Sequence, residues 1–527
     1  MRHGLAKDFA KNCFAWTLCL LSVTASPGHA ADAAALYQQH CAACHGSDRI
    51  GAMGPALLPE SLERLKKAEA LKVIRDGRAA TQMLGFADRL SAEEISQVGE
   101  YIFGSVLPAP THTEANIRAS RIVHFSNLPS TPSPIFAKRD MMNLFLVVEA
   151  GDHHVSILDG DKLEVIHRFA SRYALHGGPK FTADGRYVFF ASRDGWVSKF
   201  DIWNLKTVAE IRVALNTRNV AVSEDGKWVI AANYLPGNLV LLDGDLNLVK
   251  VIAATTLDGS KSSRVSAVYD AAPRKSFVAA LKDIPEIWEI SYDPTIEPIY
   301  NGMVHDYKMG EGIAIPGFHN PRRTTLESPL DDFFFDASYA HVMGASRAGR
   351  GQVVHLDVRK KIADLDIPGM PHLGSGITWT RDGRTVMASP NLKDGVVSVV
   401  NMDDWKVIKQ IPTLGPGFFM RSHSSTPYAW VDSMMSPAKN TLQIIDKQTL
   451  EKVAEVGTEP GKTLAHVEFD RYGKYVLASL WERKQDGGAI IVYDAKTFKE
   501  IKRIPMDKPV GKYNLYNKIT RSEGTSH

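Results

Sequence analysis

The longer, C-terminal part of the chain repeats one pattern of apolar and polar residues. Each repeat has an apolar residue, a short Asp-Gly or equivalent turn, an apolar strand, a variable turn, a second strand ending near Asp, and a third strand. Phe181-Thr-Ala-Asp-Gly185-Arg-Tyr-Val-Phe-Phe190 is one copy, and Val222-Ser-Glu-Asp-Gly226-Lys-Trp-Val-Ile230 is the next. Asp-Gly between apolar runs is a strong signal for a β-hairpin. The pattern therefore predicts a series of antiparallel sheets.

The number and spacing of the repeats indicate the architecture. Repeats begin near Met141, Phe181, Val222, Tyr269, Phe335, Trp379, His423 and Phe469. Their spacings are 40, 41, 47, 66, 44, 44 and 46 residues. Periods near 40–45 residues with about four short strands each are typical of propeller blades. The sequence predicts eight blades, because an array of β-sandwiches would not explain the regular Asp-Gly hairpins. The 66-residue spacing contains an insertion around 300–325, which we expect to cover one mouth of the propeller.

The N-terminal part has a different, helical signature. Ser91 and Glu94 have the spacing of a capping box, which predicts a helix that runs through Val98 and Tyr101 to about Phe103. Residues 105–139 contain five prolines between Ser, Thr and Asn. That composition favours extended chain, so we predict a Pro-rich linker there.

The charge balance and the N-terminal segment indicate which classes of protein the chain can belong to. The chain has 62 Lys and Arg residues against 59 Asp and Glu residues, so it lacks the large excess of positive charge that is typical of nucleic-acid binding. Residues 1–30 combine a positive start, an apolar stretch and Gly28-His29-Ala30, which resembles a signal peptide; a retained anchor is the alternative. Past this segment no run of roughly 20 apolar residues occurs, so no membrane span is expected. We expect export to the periplasm.

A cysteine motif follows the predicted cleavage site. Cleavage after Ala30 leaves only Cys41 and Cys44, in Cys41-Ala-Ala-Cys44-His45. This spacing lets two thiols add to the vinyl groups of one haem while His45 faces the iron. A disulfide or thioredoxin-like pair is the alternative. The motif predicts one covalent haem c per chain.

The sixth ligand of this haem is predicted to be a methionine. Met83 lies in a Gly-bounded loop, Gly77 to Gly85, before the capping box. Met53 is the competitor, but it follows His45 by only eight residues, in a loop expected to pack on the haem edge. His/Met ligation leaves no open position, so this haem should transfer electrons. Residues 31–104 thus resemble a class I cytochrome c domain, and the fold class is mainly β with a small all-α domain.

Four polar residues share one phase of the blade repeat. His176, His372, His466 and Arg218 each come a few residues before a repeat marker. In a propeller, positions of equal phase converge around the central channel. A pocket of His and Arg suits a flat polycarboxylate macrocycle, with His on the metal and Arg on the carboxylates. Tyr234 is placed to pack on such a ring.

A cytochrome c domain followed by an eight-bladed propeller resembles the cytochrome cd1 family, across the whole mature chain. The most specific segments are Arg172-Tyr-Ala-Leu-His176, Met370-Pro-His372-Leu-Gly-Ser-Gly376 and Gly511-Lys-Tyr513-Asn-Leu-Tyr-Asn517. The resemblance implies that residues 140–527 bind haem d1, with His176 as the proximal ligand and His372 on the distal side. The family contains nitrite reductases and relatives that act in haem d1 biosynthesis.

One departure separates the two kinds of relative. The nitrite reductases carry a second distal histidine where Asp331 stands here. Paired distal histidines suit the delivery of protons to bound nitrite. A lone distal histidine suits the holding of a tetrapyrrole instead. The insertion, with His305 and Asn320-Pro-Arg-Arg323, also resembles the biosynthetic relatives.

The resemblance therefore implies the last step of haem d1 assembly, in which a propionate of dihydro-haem d1 becomes an acrylate and the c haem takes the electrons. The candidate bases are His466 and Tyr513, with His423 weaker; a structural role is the alternative for each. Candidates for binding the macrocycle carboxylates, unless they form surface ion pairs, are Arg193, Arg218 and Arg264. Expected partners are a periplasmic electron acceptor, cytochrome cd1 nitrite reductase and other maturation proteins. The competing functions are a nitrite reductase and a haem d1 carrier without turnover.

Overall fold

The computed structural model describes residues 28–62, 65–78, 83–107, 110–125, 134–300, 314–346, 351–482 and 487–524. Residues 1–27, which hold most of the predicted signal peptide, lie outside the described residues. So do 79–82 of the Met83 loop and 301–313 of the insertion. Within the described ranges, no helix combines the length and apolar character needed to cross a bilayer.

The N-terminal domain is a small helical unit, as predicted. Its helices are Gly28–His40, Ala42–His45, Pro59–Leu62, Lys67–Asp76 and Ala92–Phe103. The last helix begins with the predicted capping box: the Glu94 amide donates to Ser91 Oγ, and the Ser91 amide donates to Glu94 Oε2 at 2.7 Å. Its apolar face, Ile95, Val98 and Ile102, packs on the first helix and closes a single core.

The described residues of the rest of the chain form eight antiparallel blades, seven of four strands and one, blade 2, with a fifth strand at its outer edge, which confirms the predicted eight-bladed propeller. Blade 2 contains Leu175–Phe181, Tyr187–Ser192, Trp196–Asp201 and Lys206–Arg212; blade 3 contains Asn216–Val222, Trp228–Leu235, Asn238–Asp243 and Leu248–Ala253; blade 4 contains Val265–Ala271, Ser276–Leu281, Glu286–Ser291 and Pro321–Thr325; blade 5 contains Asp332–Phe335, His341–Ala345, Gly351–His355 and Lys360–Leu365.

The remaining blades complete the ring. Blade 6 contains Ile377–Arg381, Arg384–Pro390, Val396–Asn401 and Val407–Pro412; blade 7 contains Met420–Ser422, Tyr428–Asp432, Thr441–Asp446 and Lys452–Gly457; blade 8 contains Thr463–Phe469, Tyr475–Trp481, Gly488–Asp494 and Glu500–Pro505; blade 1 contains Leu144–Glu149, His154–Asp159 and Glu164–Ala170, with Pro509–Asn514 added from the C-terminus.

The ring is closed by the two ends of the propeller sequence. The strand Pro509–Asn514 pairs with Leu144–Glu149 and becomes the innermost strand of blade 1. It contacts the innermost strands of blades 8 and 2, so the first strands of neighbouring blades follow one another around the axis. Apolar clusters fill the spaces between adjacent blades. The innermost strands therefore line a central channel, and the site lies there.

The segment predicted to be an extended linker is partly folded. It contains the helix Glu114–Ala119, which has its own capping box, and the strand Ile122–Val123, which adds to the outer edge of blade 2. Ile117 is fully buried in the core between blades 2 and 3. Thr113 and Asn116 supply the cap and Ile117 the apolar anchor, and these outweigh the flanking prolines.

The insertion in blade 4 leaves from the outer part of the sheet. Its ends pair as Ile299–Tyr300 with Ala314–Ile315, and Pro321–Thr325 is the outermost strand of the blade. Arg322 pairs with Glu289, and the Arg323 guanidinium stacks 4.4 Å from the centre of the Trp288 ring. The part of the insertion that is described therefore supports the blade edge and does not cover the central mouth.

Candidate functional site

His45 is held as a neutral ligand within the helical domain. Its side chain is buried, and its Nδ1 lies 2.8 Å from the carbonyl oxygen of Pro55. Burial lowers the pKa of the imidazole, partly offset by that hydrogen bond. Because a carbonyl only accepts, Nδ1 carries the proton and the Nε2 lone pair remains available for a metal. Gly54 makes the arrangement possible, since a Cβ there would lie 2.7 Å from the ring.

Cys41 and Cys44 are free thiols, the first buried and the second exposed. Burial raises the pKa of Cys41 to about 11 and also raises the pKa of Cys44. Redox-active Cys-X-X-Cys pairs need a lowered thiol pKa. The environment therefore disfavours the thioredoxin-like alternative. It fits two thiols that form thioethers to a haem, with His45 as the axial ligand.

The two candidate methionines occupy different places. Met83 packs against the buried cluster that contains Tyr37 and Cys41. Met53 lies in the loop that carries Gly54 and Pro55, which contact the Nδ1 edge of His45. A sixth ligand must come from the opposite face of the macrocycle. This placement supports Met83, which stays a prediction because residues 79–82 lie outside the described part of its loop.

The helical domain contacts the propeller beside the channel. Its short helix Pro59–Leu62 lies against the strand Trp228–Leu235 of blade 3. That strand carries Tyr234, one of the predicted pocket residues. The Arg78 charge is also close enough to affect the pKa of Arg193 in blade 2. The predicted haem c domain and the channel are therefore neighbours within one chain.

His176 lies on the innermost strand of blade 2 and faces the channel. His176 lies deep within the protein but keeps part of its surface accessible, as expected for a residue that lines an internal cavity. Its Nδ1 lies 2.6 Å from the Arg218 carbonyl oxygen on blade 3. Burial lowers the pKa of His176 well below its usual range, and the charges of Arg218, Arg193 and His372 lower it further. His176 is thus a neutral imidazole with a free Nε2 lone pair.

His372 faces the same space from the loop before blade 6. Its Nδ1 lies 3.0 Å from the Phe418 carbonyl oxygen, and its ring centre is 4.0 Å from that of Phe418. Burial lowers the pKa of His372, while Asp332 offsets part of that shift. Both channel histidines therefore have Nδ1 committed to a backbone carbonyl. Two neutral imidazoles with available Nε2 atoms suit the two axial positions of one iron.

Arg193 and Arg218 place positive charge at this end of the channel. Burial lowers the pKa of Arg193, and the charges of Arg218 and Arg78 add to the effect. Within the described part of the chain, Arg218 Nε is buried without a hydrogen-bond partner. Among the described residues, no carboxylate pairs with either guanidinium. Buried cations of this kind need an anion, so the pair is suited to the carboxylates of a bound molecule.

Tyr234 lies within a group of cations. The guanidinium of Arg218 is 4.9 Å from its ring centre, that of Arg264 is 5.4 Å away, and Lys282 Nζ is 5.6 Å away. Burial would raise the pKa of Tyr234, but these three charges together hold it below its usual value. Arg264 forms a bidentate, buried pair with Asp283, at 2.7 and 2.8 Å. Arg264 is thus already neutralised and supports Tyr234 instead of presenting a free charge.

Asp331 is part of a buried ion pair. Its carboxylate contacts Lys282 Nζ, and both side chains are less than a tenth exposed. The position at which the family resemblance implies a second distal histidine in the reductases is therefore engaged with a lysine here. A carboxylate fixed in this way does not replace a second distal histidine as a proton donor.

His466 and Tyr513 come from blades 8 and 1 and pack together edge to face, with ring centres 5.0 Å apart. His466 is 1% exposed, whereas Tyr513 is half-buried and lies against Gly178, two residues after His176. His466 Nδ1 accepts the Lys512 amide at 3.4 Å, so its proton is on Nε2, for which the described residues provide no hydrogen-bond partner. Burial lowers the pKa of His466 and raises that of Tyr513 to about 12. Of the two, Tyr513 is the one that reaches the pocket.

His423 lies away from this pocket. Its ring is buried at the end of blade 7, where Nδ1 is 2.8 Å from Ser425 Oγ and Nε2 is 3.1 Å from the Arg471 carbonyl oxygen. Both ring nitrogens are thus used for packing between blades 7 and 8. This placement supports the structural alternative for His423.

The pocket also contains residues that the sequence pattern did not reveal. Lys282 follows the second strand of blade 4, just as Arg193 follows the second strand of blade 2. In antiparallel blades the end of the second strand lies beside the start of the first, so both phases face the channel. Moreover, His176, Arg218 and His466 lie within the innermost strands rather than ahead of them. The Asp-Gly turn of each repeat joins the innermost strand to the second strand. Had the repeat been aligned on this turn, the end of the second strand would have been recognised as facing the channel, and Lys282 would have been predicted.

Comparisons with known proteins agree with this two-part arrangement. A family model described as Cytochrome D1 heme domain matches residues 139–518. A second, described as Cytochrome C oxidase, cbb3-type, subunit III, matches residues 28–102. The chain is 51% identical over 512 residues to "Dihydro-heme d1 dehydrogenase" of Pseudomonas aeruginosa, covering 96% of this chain and 98% of that protein. It is 27% identical to "Nitrite reductase" of Stutzerimonas stutzeri, with 92% of each chain covered.

A solved structure has the same fold. The structure of "Dihydro-heme d1 dehydrogenase NirN in complex with DHE" superimposes with a TM-score of 0.78 at 51% identity. The match covers 93% of this chain and 100% of that chain.

Proposed function

Because the chain belongs to the cytochrome D1 heme domain family, we propose that it is a dihydro-haem d1 dehydrogenase that holds its tetrapyrrole between His176 and His372. One observation carries the proposal. Each of these two imidazoles faces the channel with Nδ1 bound to a backbone carbonyl, which leaves both Nε2 atoms for an iron. The similarity to a dehydrogenase at 51% identity, against 27% to a nitrite reductase, supports the same reading.

The proposed reaction removes two electrons and two protons from a saturated propionate. The Cα–H and Cβ–H bonds break, a carbon–carbon double bond forms, and the side chain becomes an acrylate. The substrate carries several carboxylates, and Arg193 and Arg218 lie where they would neutralise two of them. A charge-assisted hydrogen bond to a buried guanidinium also fixes the orientation of the ring.

We assign proton abstraction to Tyr513, whose phenolate form accepts a proton from the propionate side chain. Its hydroxyl is at the pocket surface beside the strand that carries His176. His466 is covered by Tyr513 and Phe419, whose ring centres are 5.0 and 4.4 Å away. We assign His466 the task of orienting Tyr513, because its neutral ring packs edge to face against the Tyr513 ring. The repeat pattern of the sequence alone favours His466 over Tyr513 as the base.

The electrons leave through the helical domain. Cys41, Cys44, His45 and Met83 would hold a covalent haem c, which would supply one-electron acceptor chemistry. The helix Pro59–Leu62 lies against the strand of Tyr234, which keeps this domain next to the pocket. Electron transfer without a mobile carrier requires the donor and the acceptor to lie close together.

The cellular setting is proposed from the sequence. Residues 1–30 have the features of a signal peptide, and haem attachment to Cys-X-X-Cys-His suits an exported protein. We infer a periplasmic protein that acts in denitrification. It would pass electrons to a periplasmic acceptor and its product to cytochrome cd1 nitrite reductase, along with other haem d1 maturation proteins.

A single-turnover experiment tests the function. Purified protein with oxidised haem c is mixed anaerobically with dihydro-haem d1, and both chromophores are followed by absorbance. We expect haem c to become reduced as the acrylate-bearing haem d1 spectrum appears, with the haem c of two chains reduced per acrylate formed, because each haem c accepts one electron. The product is identified by mass, which falls by two hydrogens.

Two other outcomes would identify the competing functions. Tight binding of dihydro-haem d1 without reduction of haem c or loss of hydrogen would indicate a carrier. Release of nitric oxide from nitrite by protein loaded with haem d1 would indicate a reductase. Either result would overturn the proposal.

A further inference from the structure

Asp332 links three consecutive blades at the distal side of the pocket. Its Oδ1 accepts a hydrogen bond from the Tyr269 hydroxyl of blade 4 at 2.9 Å. Its Oδ2 accepts the amide of Gly374, in the loop before blade 6, at 2.7 Å. The same Oδ2 lies 4.0 Å from His372 Nε2. Asp332 itself begins the innermost strand of blade 5.

The loop is shaped to receive this carboxylate. A Cβ on Gly374 would lie 2.2 Å from Asp332 Oδ2 and 2.8 Å from the Tyr269 hydroxyl. Only glycine therefore allows the chain to approach so closely. Gly374 is two residues after His372, so a contact at Gly374 sets where the imidazole lies.

The other attachments of His372 act on a different part of the loop. The Phe418 carbonyl oxygen orients the ring through Nδ1, and the His372 amide donates to the Pro390 carbonyl oxygen at 2.9 Å. Neither fixes the position of the turn Leu373–Ser375 relative to blade 5. The buried Leu373 side chain packs against blade 5, and among the described residues Asp332 supplies the side-chain hydrogen bond that joins the turn to this blade.

We propose that Asp332 is the positioning residue of the distal histidine, and that it sets the approach of His372 Nε2 to the iron of the bound tetrapyrrole. The inference rests on the proposed function, since it concerns the same pocket. Removing the carboxylate leaves the Gly374 amide and the Tyr269 hydroxyl without this acceptor, and the loop shifts. The imidazole then reaches the iron less often, while the proximal side is unchanged.

The test is the coordination state of a bound ferric tetrapyrrole. Ferric dihydro-haem d1 is titrated into wild-type holoprotein and into Asp332→Ala, and binding is followed by absorbance and electron paramagnetic resonance. We expect a six-coordinate, low-spin signal in the wild type and a largely high-spin signal in Asp332→Ala. Loss of an outer contact of this kind typically costs about 10- to 100-fold in affinity, and we expect a fall in that range. The haem c spectrum should not change.

Matched variants separate positioning from general damage. Asp336→Asn is the control on the same blade, because Asp336 binds Ser338 and His341 away from the pocket. His372→Ala defines the signal of a site without the distal ligand. Tyr269→Phe removes one partner of Asp332 and keeps the ring, so a partial high-spin signal is expected; it carries the test if Asp332→Ala does not fold.

The outcomes distinguish the positioning role from the function on which it rests. A low-spin signal and wild-type affinity in Asp332→Ala would overturn the positioning role and leave the proposed function standing. The positioning role is also overturned if Asp332→Ala does not fold and Tyr269→Phe is indistinguishable from the wild type. Failure of the wild type itself to bind ferric dihydro-haem d1 would overturn the proposed function and this inference with it.

Discussion

His176 Nδ1 and the carbonyl oxygen of Arg218 are joined by a 2.6 Å hydrogen bond that crosses from blade 2 to blade 3. The bond fixes the tautomer of His176 and places its Nε2 toward the channel. Because Arg218 also presents an unpartnered Nε to the same space, one residue orients the metal ligand with its backbone and offers a charge with its side chain. The innermost strands of blades 2 and 3 therefore carry both the residue proposed to bind the iron and the residue proposed to bind a carboxylate.

Replacing His176 by Ala should abolish tight binding of the tetrapyrrole. The metal bond on the proximal side is lost, whereas His45, in the other domain, is unaffected. A titration with ferric dihydro-haem d1 followed by absorbance measures the change, and the haem c spectrum should stay as in the wild type. His167→Ala, on an outer strand of blade 1, is the control. Unchanged affinity in His176→Ala would refute the ligand assignment.

Replacing Met83 by Ala should lower the reduction potential of haem c. A thioether ligand raises the potential of a His-ligated haem, and axial ligands shift haem potentials over about 0.8 V in total, so a change on the order of 100 mV is expected. Potentiometric titration of the haem c band measures it. Met53→Ala should leave the potential near the wild-type value. If Met53→Ala gives the large shift instead, the sixth ligand is Met53.

The fold was more predictable than the pocket because its signals are local. Eight Asp-Gly or equivalent turns and the Ser91–Glu94 capping box each lie within one short segment, and both predictions are confirmed. The linker prediction was incomplete for the same reason, since proline content is local but the burial of Ile117 depends on blades 2 and 3.

The pocket depends on contacts that sequence spacing does not reveal. The carbonyl that holds His372 belongs to Phe418, and the loop is clamped by Asp332, 40 positions earlier in the chain. Likewise, the sequence offered Arg264 as a ligand for a carboxylate, but its bidentate pair with Asp283 appears only in three dimensions. The repeat pattern correctly predicted which strands line the pocket. Which of their side chains are available to a ligand depends on contacts with neighbouring blades, and the sequence does not show these contacts.

Replacing Arg218 by Gln should weaken binding of the tetrapyrrole without altering its spectrum. A charge-assisted hydrogen bond contributes about 1.5–3 kcal/mol, so the dissociation constant should rise roughly 10- to 150-fold. The backbone carbonyl that holds His176 remains in this variant, and the low-spin signal should therefore persist at saturation. Arg503→Gln, which changes an exposed arginine on the outermost strand of blade 8, is the control. A high-spin signal at saturation would mean that Arg218 acts through ligand geometry instead.

Replacing Gly54 by Ala should damage the haem c site alone. The added Cβ would lie 2.7 Å from Cε1 of His45, so the ring must move away from the Pro55 carbonyl oxygen. We expect weaker axial ligation, seen as a partly high-spin haem c, and a lower yield of covalently attached haem. Gly104→Ala is a matched control, since its nearest contact is 3.3 Å and lies at the end of the last helix. A normal haem c spectrum in Gly54→Ala would contradict the role given to this loop.

The single-turnover rate should rise with pH between about pH 6 and pH 9. Burial keeps the pKa of His466 well below its usual range, so the ring is neutral throughout this interval and gives no acid limb near pH 6.5. Burial raises the pKa of Tyr513 to about 12, so only a small fraction is phenolate, the form that accepts a proton, and this fraction grows tenfold per pH unit in this range. Single-turnover rates of haem c reduction across the range measure the profile. A flat profile would contradict the assignment of Tyr513 as the base.

Tyr513→Phe should then lower the single-turnover rate by about 10²–10⁴-fold, the usual contribution of a proton-transfer group, with little change in affinity. His466→Ala should cost less, because the ring is covered by Tyr513 and contacts the substrate only through it. The two rates are compared at saturating dihydro-haem d1, with haem c reduction as the readout. If His466→Ala is the more damaging change, the proton passes to the imidazole and the order of the two residues must be reversed.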